Sequence, residues 1–248
     1  MECAYESRRL RAFRNRHVGR RCFLIGNGPS LRHQDLSGLR GEVVFVTNRF
    51  FLHPQHDQIA PLYYCVSDAA FFDTLTPEMA GVVREKAARM VSFLPYPRKS
   101  LIAKARLFPR RSAYYVQEAR GAGLWDGGTM VLDPSVRAEN GETVIIDHCL
   151  PLAHYMGFSE VYLLGCDTDY GVDRDADYSS AYFYDVNSHP PARDAVHHRT
   201  VWYDRVTRSY EVARRVFERD GRRIGNATAG GRLEVFPRVD LRDVGRRP

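Results

Sequence analysis

The side chains best placed for chemistry in this 248-residue chain stand where apolar runs stop. Asn27, Gly28, Pro29 and Ser30 follow "RCFLIG", Asn48 follows "EVVFVT", Ser67 and Asp68 follow "PLYYCV", and Asp167 and Asp169 follow or interrupt the end of "EVYLLGC". An asparagine amide offers both a donor and an acceptor, and glycine lets a ligand approach the backbone closely. Pro29 fixes the turn, and the start of a helix after it presents free N–H groups to an anion. This set either suits a nucleotide, with a phosphate expected near Ser30, or is a structural strand-to-helix turn. The stretch matches neither standard phosphate loop: it has no lysine for G-x-x-x-x-G-K-[ST], and it does not complete G-x-G-x-x-G.

These positions require strands to hold them. Short runs without helical period over 21–26, 42–48, 61–68, 91–96 and 160–167 read as buried strands, with "RRIGNAT" as a last short one. Helices are expected over 77–90, 143–156 and about 204–219, with Ser30 opening a short one. Alternation of the two types predicts an α/β fold, a Rossmann-like, doubly wound, mostly parallel sheet. The proline-containing stretch 95–128 reads as a loop-rich connection or lid-like insertion with strand pieces. In open sheets of this kind ligands bind beyond the carboxyl ends of the strands, so the polar strand ends are expected to line one crevice.

Charge divides the chain into a basic N-terminal arm over 1–21, one nucleotide-binding domain over 22–241 and a basic tail over 242–248. The net charge is +6, and the first 21 residues hold seven arginines against Glu2 and Glu6. The body between arm and tail is close to neutral, which argues against a broad nucleic-acid groove. A basic arm is solvated or touches an anionic membrane or acidic partner. Cys3, Cys22, Cys65, Cys149 and Cys166 have no paired spacing, three of them in apolar runs, and read as free thiols of a reducing compartment. No apolar stretch reaches the length of a membrane helix, so the expected location is cytoplasmic, soluble or peripheral to the inner face of the membrane. No metal-ligand spacing is found among the histidines. Asp167, Asp169, Asp173, Asp175 and Asp177 form an acidic loop that is either solvated or a Mg²⁺ site. Trp125, Trp202 and the "YFY" at 182–184 either stack on a ligand or pack a lid.

"IGNGPSL", "VFVTNRFF", "AHYMGFSEVYLLGCDTDY" and "GRRIGNATAGGRLEVFPRVDL" together resemble the superfamily that joins bacterial sialyltransferases using CMP-activated sugars with 6-hydroxymethylpterin diphosphokinase-like proteins. The resemblance covers roughly 22–52 and 142–241. It implies a Rossmann-like domain with a lid and metal-independent, inverting transfer of a sugar from a nucleotide-sugar donor to a glycan or lipid-linked acceptor. Asn27, Gly28, Ser30 and Asn48 would then meet the nucleotide, and Glu142 and Thr143 fall near a nucleotide-contacting turn. Tyr170 and Tyr178 would hold the leaving phosphate, and His198, His197 or His189, in that order by spacing, would act as general base. The C-terminal block is closer to the diphosphokinase-like branch, which implies ATP with Mg²⁺ on the acidic loop. A non-catalytic nucleotide-binding module is the third alternative.

Overall fold

The computed structural model describes residues 2–67, 69–117, 128–137, 143–168, 181–186, 188 and 199–244. Seven strands form one sheet: β1 Arg21–Ile25, β2 Val44–Thr47, β3 Tyr63–Cys65, β4 Val91–Pro95, β5 Ala113–Val116, β6 Glu160–Leu164 and β7 Arg223–Asn226. Their order is β5-β4-β3-β2-β1-β6-β7, and every neighbouring pair is parallel. The fold is thus α/β and Rossmann-like, with the expected mostly parallel sheet parallel throughout.

Helices cover both faces. They are α1 Glu2–Arg11, a single turn α2 His56–Ile59, α3 Pro77–Ala87, α4 Lys99–Ala105, α5 Leu150–Tyr155, α6 Arg199–Arg219 and α7 Leu241–Val244. Strand alternation divides the core between the two layers. Cys22 and Leu24 of β1 and Val161 and Leu163 of β6 join one cluster, and Phe23, Ile25, Tyr162 and Leu164 join the other. Both faces are apolar, so these strands read as continuous hydrophobic runs. Cys22, Cys65, Cys149 and Cys166 are buried with free thiols.

Local chemistry accounts for the boundaries. Thr76 caps α3, its Oγ1 accepting from the Met79 N–H at 3.3 Å, and Pro77 occupies the first turn, where its missing N–H costs nothing. Pro151 has no N–H to continue a regular ladder. The chain ahead of it widens into a π turn over Ile145–Cys149 and then proceeds as α5.

Three segments differ from expectation. The Arg-rich start, expected as an arm, is helical and packed: Leu10 and Phe13 are buried, and Phe13 meets Phe93 and Tyr114 edge-on at 5.1 and 4.7 Å. Arg9 fastens α1 to the β5 edge by donating to the Ala113 and Arg110 carbonyls at 2.7 and 3.1 Å. Within 95–128, the helix α4 stands where loops were expected, while β5, a strand piece as expected there, extends the sheet beside β4. The expected basic tail begins as α7, held by Arg21 Nη1 donating to the Val244 carbonyl at 2.5 Å.

Candidate nucleotide crevice

The chain runs outward from β1 through β2 to β5, then returns to lay β6 on the other side of β1. The reversal between β1 and β6 is the position at which such sheets open a crevice. Two glycine-bearing loops meet there. Gly26 N–H donates to the Leu164 carbonyl at 2.8 Å and Gly28 N–H to the Gly165 carbonyl at 2.9 Å. A Cβ on Gly26 would overlap the Gly165 carbonyl oxygen, and one on Gly28 would overlap the Asp167 carboxylate, so this approach needs glycine at both positions.

The expected phosphate seat is filled by the protein itself. A short 3₁₀ turn, Pro29–Arg32, follows Gly28, and the Asp167 carboxylate lies against its first N–H groups. It accepts from the Ser30 hydroxyl at 2.8 Å and from the Ser30 N–H at 3.2 Å. A carboxylate stabilises this helix start as an anionic ligand would. Ser30 and Asp167, each expected to face a nucleotide, therefore face one another, and the Ser30 N–H is already engaged.

The Asp167 loop is in turn built by the C-terminal block. Arg232 N–H donates to the Asp167 carbonyl at 2.7 Å, and Thr228 Oγ1 accepts from the Cys166 N–H at 3.2 Å. Asn226 arranges the segment, its Oδ1 accepting from the Thr228 N–H at 3.0 Å and its Nδ2 donating to the Leu233 carbonyl at 2.7 Å. Arg238 gathers the carbonyls of Thr228, Gly230 and Gly231. Spacing gave no signal for this scaffold, because Asn226 and Arg238 act on backbone atoms of their own segment, 228–233, and it is that segment's backbone and Thr228 that reach the Asp167 loop.

On the β2 side the arrangement is open in a different way. Asn27 Nδ2 donates to the Thr47 hydroxyl at 2.8 Å and to the Thr47 carbonyl at 3.1 Å. Asn48 holds φ of +44°, a conformation asparagine tolerates better than most residues, and its carbonyl accepts from the Tyr64 hydroxyl at 2.6 Å. The side-chain oxygens Oδ1 of both asparagines are buried and, among the described residues, have no donor. Buried acceptors are nearly always paired in native proteins, so two on adjacent strand ends call for a reason.

Residues 181–184 lie over these strand ends. The Phe183 N–H donates to the Asn27 carbonyl at 3.1 Å, and Arg32 holds the Tyr182 and Phe183 carbonyls at 2.6 and 3.2 Å. Phe183 packs edge-on to His53 at 5.2 Å, and Tyr182 stacks on Tyr184 at 5.0 Å. Of the two roles expected for this aromatic triplet, packing is the one these contacts serve. Arg49, fully buried, donates to Thr74 Oγ1 at 2.8 Å and lies 6.0 Å from the Tyr184 ring. Burial lowers the pKa of its guanidinium, against the neighbouring Tyr184 and Tyr64, which raise it.

The remaining expected residues divide into two groups. Ser67 is buried at the end of β3, and Pro29 opens the 3₁₀ turn. Thr143 precedes the π turn and caps it, its Oγ1 accepting from the Ile146 N–H at 3.3 Å. Asp68, Glu142, Asp169, Tyr170, Tyr178, His189, His197 and His198 lie outside the described residues, as do Trp125, Asp173, Asp175, Asp177 and the side chain of Trp202. Asp147, which sequence reading passed over, and His148, which it placed in an apolar helix, are buried in the π turn. Their signal was the proline two residues beyond the turn, since π turns concentrate at functional positions. Among the described residues no group of three or more histidine, cysteine or carboxylate side chains is arranged to hold a metal ion. Among the described residues no helix is long and apolar enough to cross a membrane. Compared with protein-family models and with curated protein sequences, the chain matches none.

Proposed function

We propose that the crevice beyond β1 and β2 binds a cytidine nucleotide and that the protein is a glycosyltransferase using a CMP-activated sugar of the sialic-acid-like class. The observation that carries this reading is the pair of buried, donor-less oxygens of Asn27 and Asn48 on adjacent strand ends. Two acceptors side by side match a ligand rich in donors, such as a ribose diol or the exocyclic amine of cytosine. With Asp167 bound to Ser30, the donor phosphate lies outside that turn.

In the reaction the acceptor hydroxyl oxygen attacks the anomeric carbon as the bond from that carbon to the CMP phosphate oxygen breaks. The hydroxyl proton passes to a histidine, His198 first and His197 or His189 after it, a side chain that titrates near neutral pH. Tyr170 and Tyr178 donate to the departing phosphate. No metal enters this scheme.

Ligand-induced thermal shift tests it. A ligand at a hundred times its Kd adds about 2.7 kcal/mol of stability, which for a domain of this size raises Tm by roughly 5–10 °C. CMP or a CMP-sugar is expected to produce that rise without magnesium, and Asn27→Ala and Asn48→Ala, folded by circular dichroism, are expected to remove it. A shift with ATP and Mg²⁺ but with no cytidine compound would overturn the assignment in favour of the diphosphokinase-like alternative.

A further inference from the structure

Because all seven strands point the same way, whatever precedes each strand lies on one edge of the sheet, opposite Asn27, Asn48 and Asp167. Arginine precedes five of them: Arg20 before β1, Arg40 before β2, Arg89 before β4, Arg111 before β5 and Arg222 before β7. Strand order arranges these as a row, and at about 4.8 Å per strand the row crosses the edge over about 29 Å. Arg20, Arg40, Arg89 and Arg111 are exposed and, among the described residues, take part in no ion pair.

Acidic groups on this edge are mostly spoken for. Glu42 pairs with Arg21 at 2.5 Å, Glu160 with Arg223 at 3.0 Å and Asp57 with Lys86, while Glu85 stands four residues before Arg89. The two strands that no arginine precedes, β3 and β6, have aliphatic side chains at their starts instead. Leu62, 39% exposed, leads into β3. Val18, 68% exposed, sits beside the turn into β6, where the Gly19 N–H donates to the Gly157 carbonyl at 3.1 Å.

We infer that this edge docks on an anionic phospholipid surface, with the arginines against headgroup phosphates and Val18 and Leu62 entering the interface. Unpaired guanidiniums supply the charge complementarity, since each basic residue near an anionic bilayer adds to its attraction. Exposed aliphatic groups among them gain from leaving water at such an interface. A nucleic-acid surface is the poorer match: the row is one charge wide and interleaved with aliphatic rather than aromatic side chains, so it offers bases nothing to stack on. Docking here is independent of what the crevice binds, and it leaves the crevice facing the aqueous side.

Co-sedimentation of the full chain with vesicles decides the matter. Wild type is expected to pellet with vesicles of phosphatidylglycerol and phosphatidylcholine mixed, to stay in solution with phosphatidylcholine alone, and to be released by high salt. Neutralising one arginine is expected to weaken binding about fivefold, and Arg40→Gln/Arg89→Gln/Arg111→Gln together about a hundredfold. Val18→Ser, which leaves charge unchanged, is expected to weaken binding severalfold. Thermal melts of the variants, all exposed positions, are expected to match wild type. Absence of binding to the mixed vesicles, equal binding by the triple variant, or indifference to Val18→Ser with tighter binding to single-stranded RNA would overturn the inference.

Discussion

Replacing Gly28 by alanine tests whether Asp167 holds the turn after β1. Gly28 has φ −67° and ψ 158°, open to any residue, so alanine adds no backbone strain and the cost is steric. The new Cβ would overlap Asp167 Oδ2, stand 2.6 Å from its Cγ and lie 2.8 Å from the Gly165 carbonyl oxygen. The carboxylate must swing away, and both of its bonds to Ser30, at 2.8 and 3.2 Å, go with it. Hydrogen bonds to a charged group contribute about 1.5–3 kcal/mol each, and the longer one belongs at the low end. Reduced freedom of the unfolded chain returns about 0.4–1 kcal/mol. The net destabilisation is about 3 kcal/mol, read by urea unfolding. In an Asp167→Ala background the Oδ2 and Cγ overlaps vanish and only the Gly165 oxygen remains close. Gly28→Ala is therefore expected to cost clearly less there. A cost within about 0.5 kcal/mol of zero in the wild-type background, or an equal cost in both, would refute the reasoning.

The other expectations concern the segment before β1. Burial, with Arg20 and Arg16 close by, pushes His17 down to about 4, and its Nε2 lies 2.7 Å from the Tyr63 hydroxyl. The unfolded chain takes the proton first as pH falls, so the stability is full above 6.5 and is lost as pH falls toward 4. At pH 5 the loss is about 2 kcal/mol relative to pH 8 by urea unfolding, and His17→Phe is expected to flatten that slope. Phe13→Ala opens a cavity among Tyr63, Phe93 and Tyr114, and a loss of about 3–5 kcal/mol by the same assay is expected; a loss under about 1 kcal/mol would mean that α1 is not part of the core.

What could be read from the sequence follows from how each feature encodes itself. Strands β1, β2, β4 and β6 are buried on both faces, so their apolar runs stand out, and the glycine-rich turn marks the end of β1 unambiguously. The α1 helix is hard to read because Leu10, with Phe13 just past its end, is the one large buried apolar side chain it offers among the described residues, and seven arginines nearby dominate the composition. A helix whose charged side chains find backbone carbonyls, as Arg9 does on β5, looks like a solvated tail until the edge strand is known to be there. β5 itself sits in a stretch whose prolines suggest loops, and its partner β4 is the only strand that tells it from one.

The site divides in the same way. Position at a strand end is legible, and Asn27, Asn48, Ser67 and Asp167 all stand at the carboxyl ends of their strands. Which of them faces a ligand and which faces a neighbour is not legible, because it depends on the return of the chain from β5 to β6, about 45 residues later. That return brings Asp167 to Ser30 across 137 positions of sequence. It converts an apparent anion seat into an internal cap, and it leaves the asparagine oxygens beside β2 as strand-end acceptors that, among the described residues, lack donors. A carboxylate in the place of an anionic ligand holds the turn by internal bonds alone. Under the proposed function, preorganisation of that kind would lower the ordering cost of binding, and the Ser30–Asp167 bond and the Asn226–Arg238 scaffold behind it would serve affinity without touching the ligand.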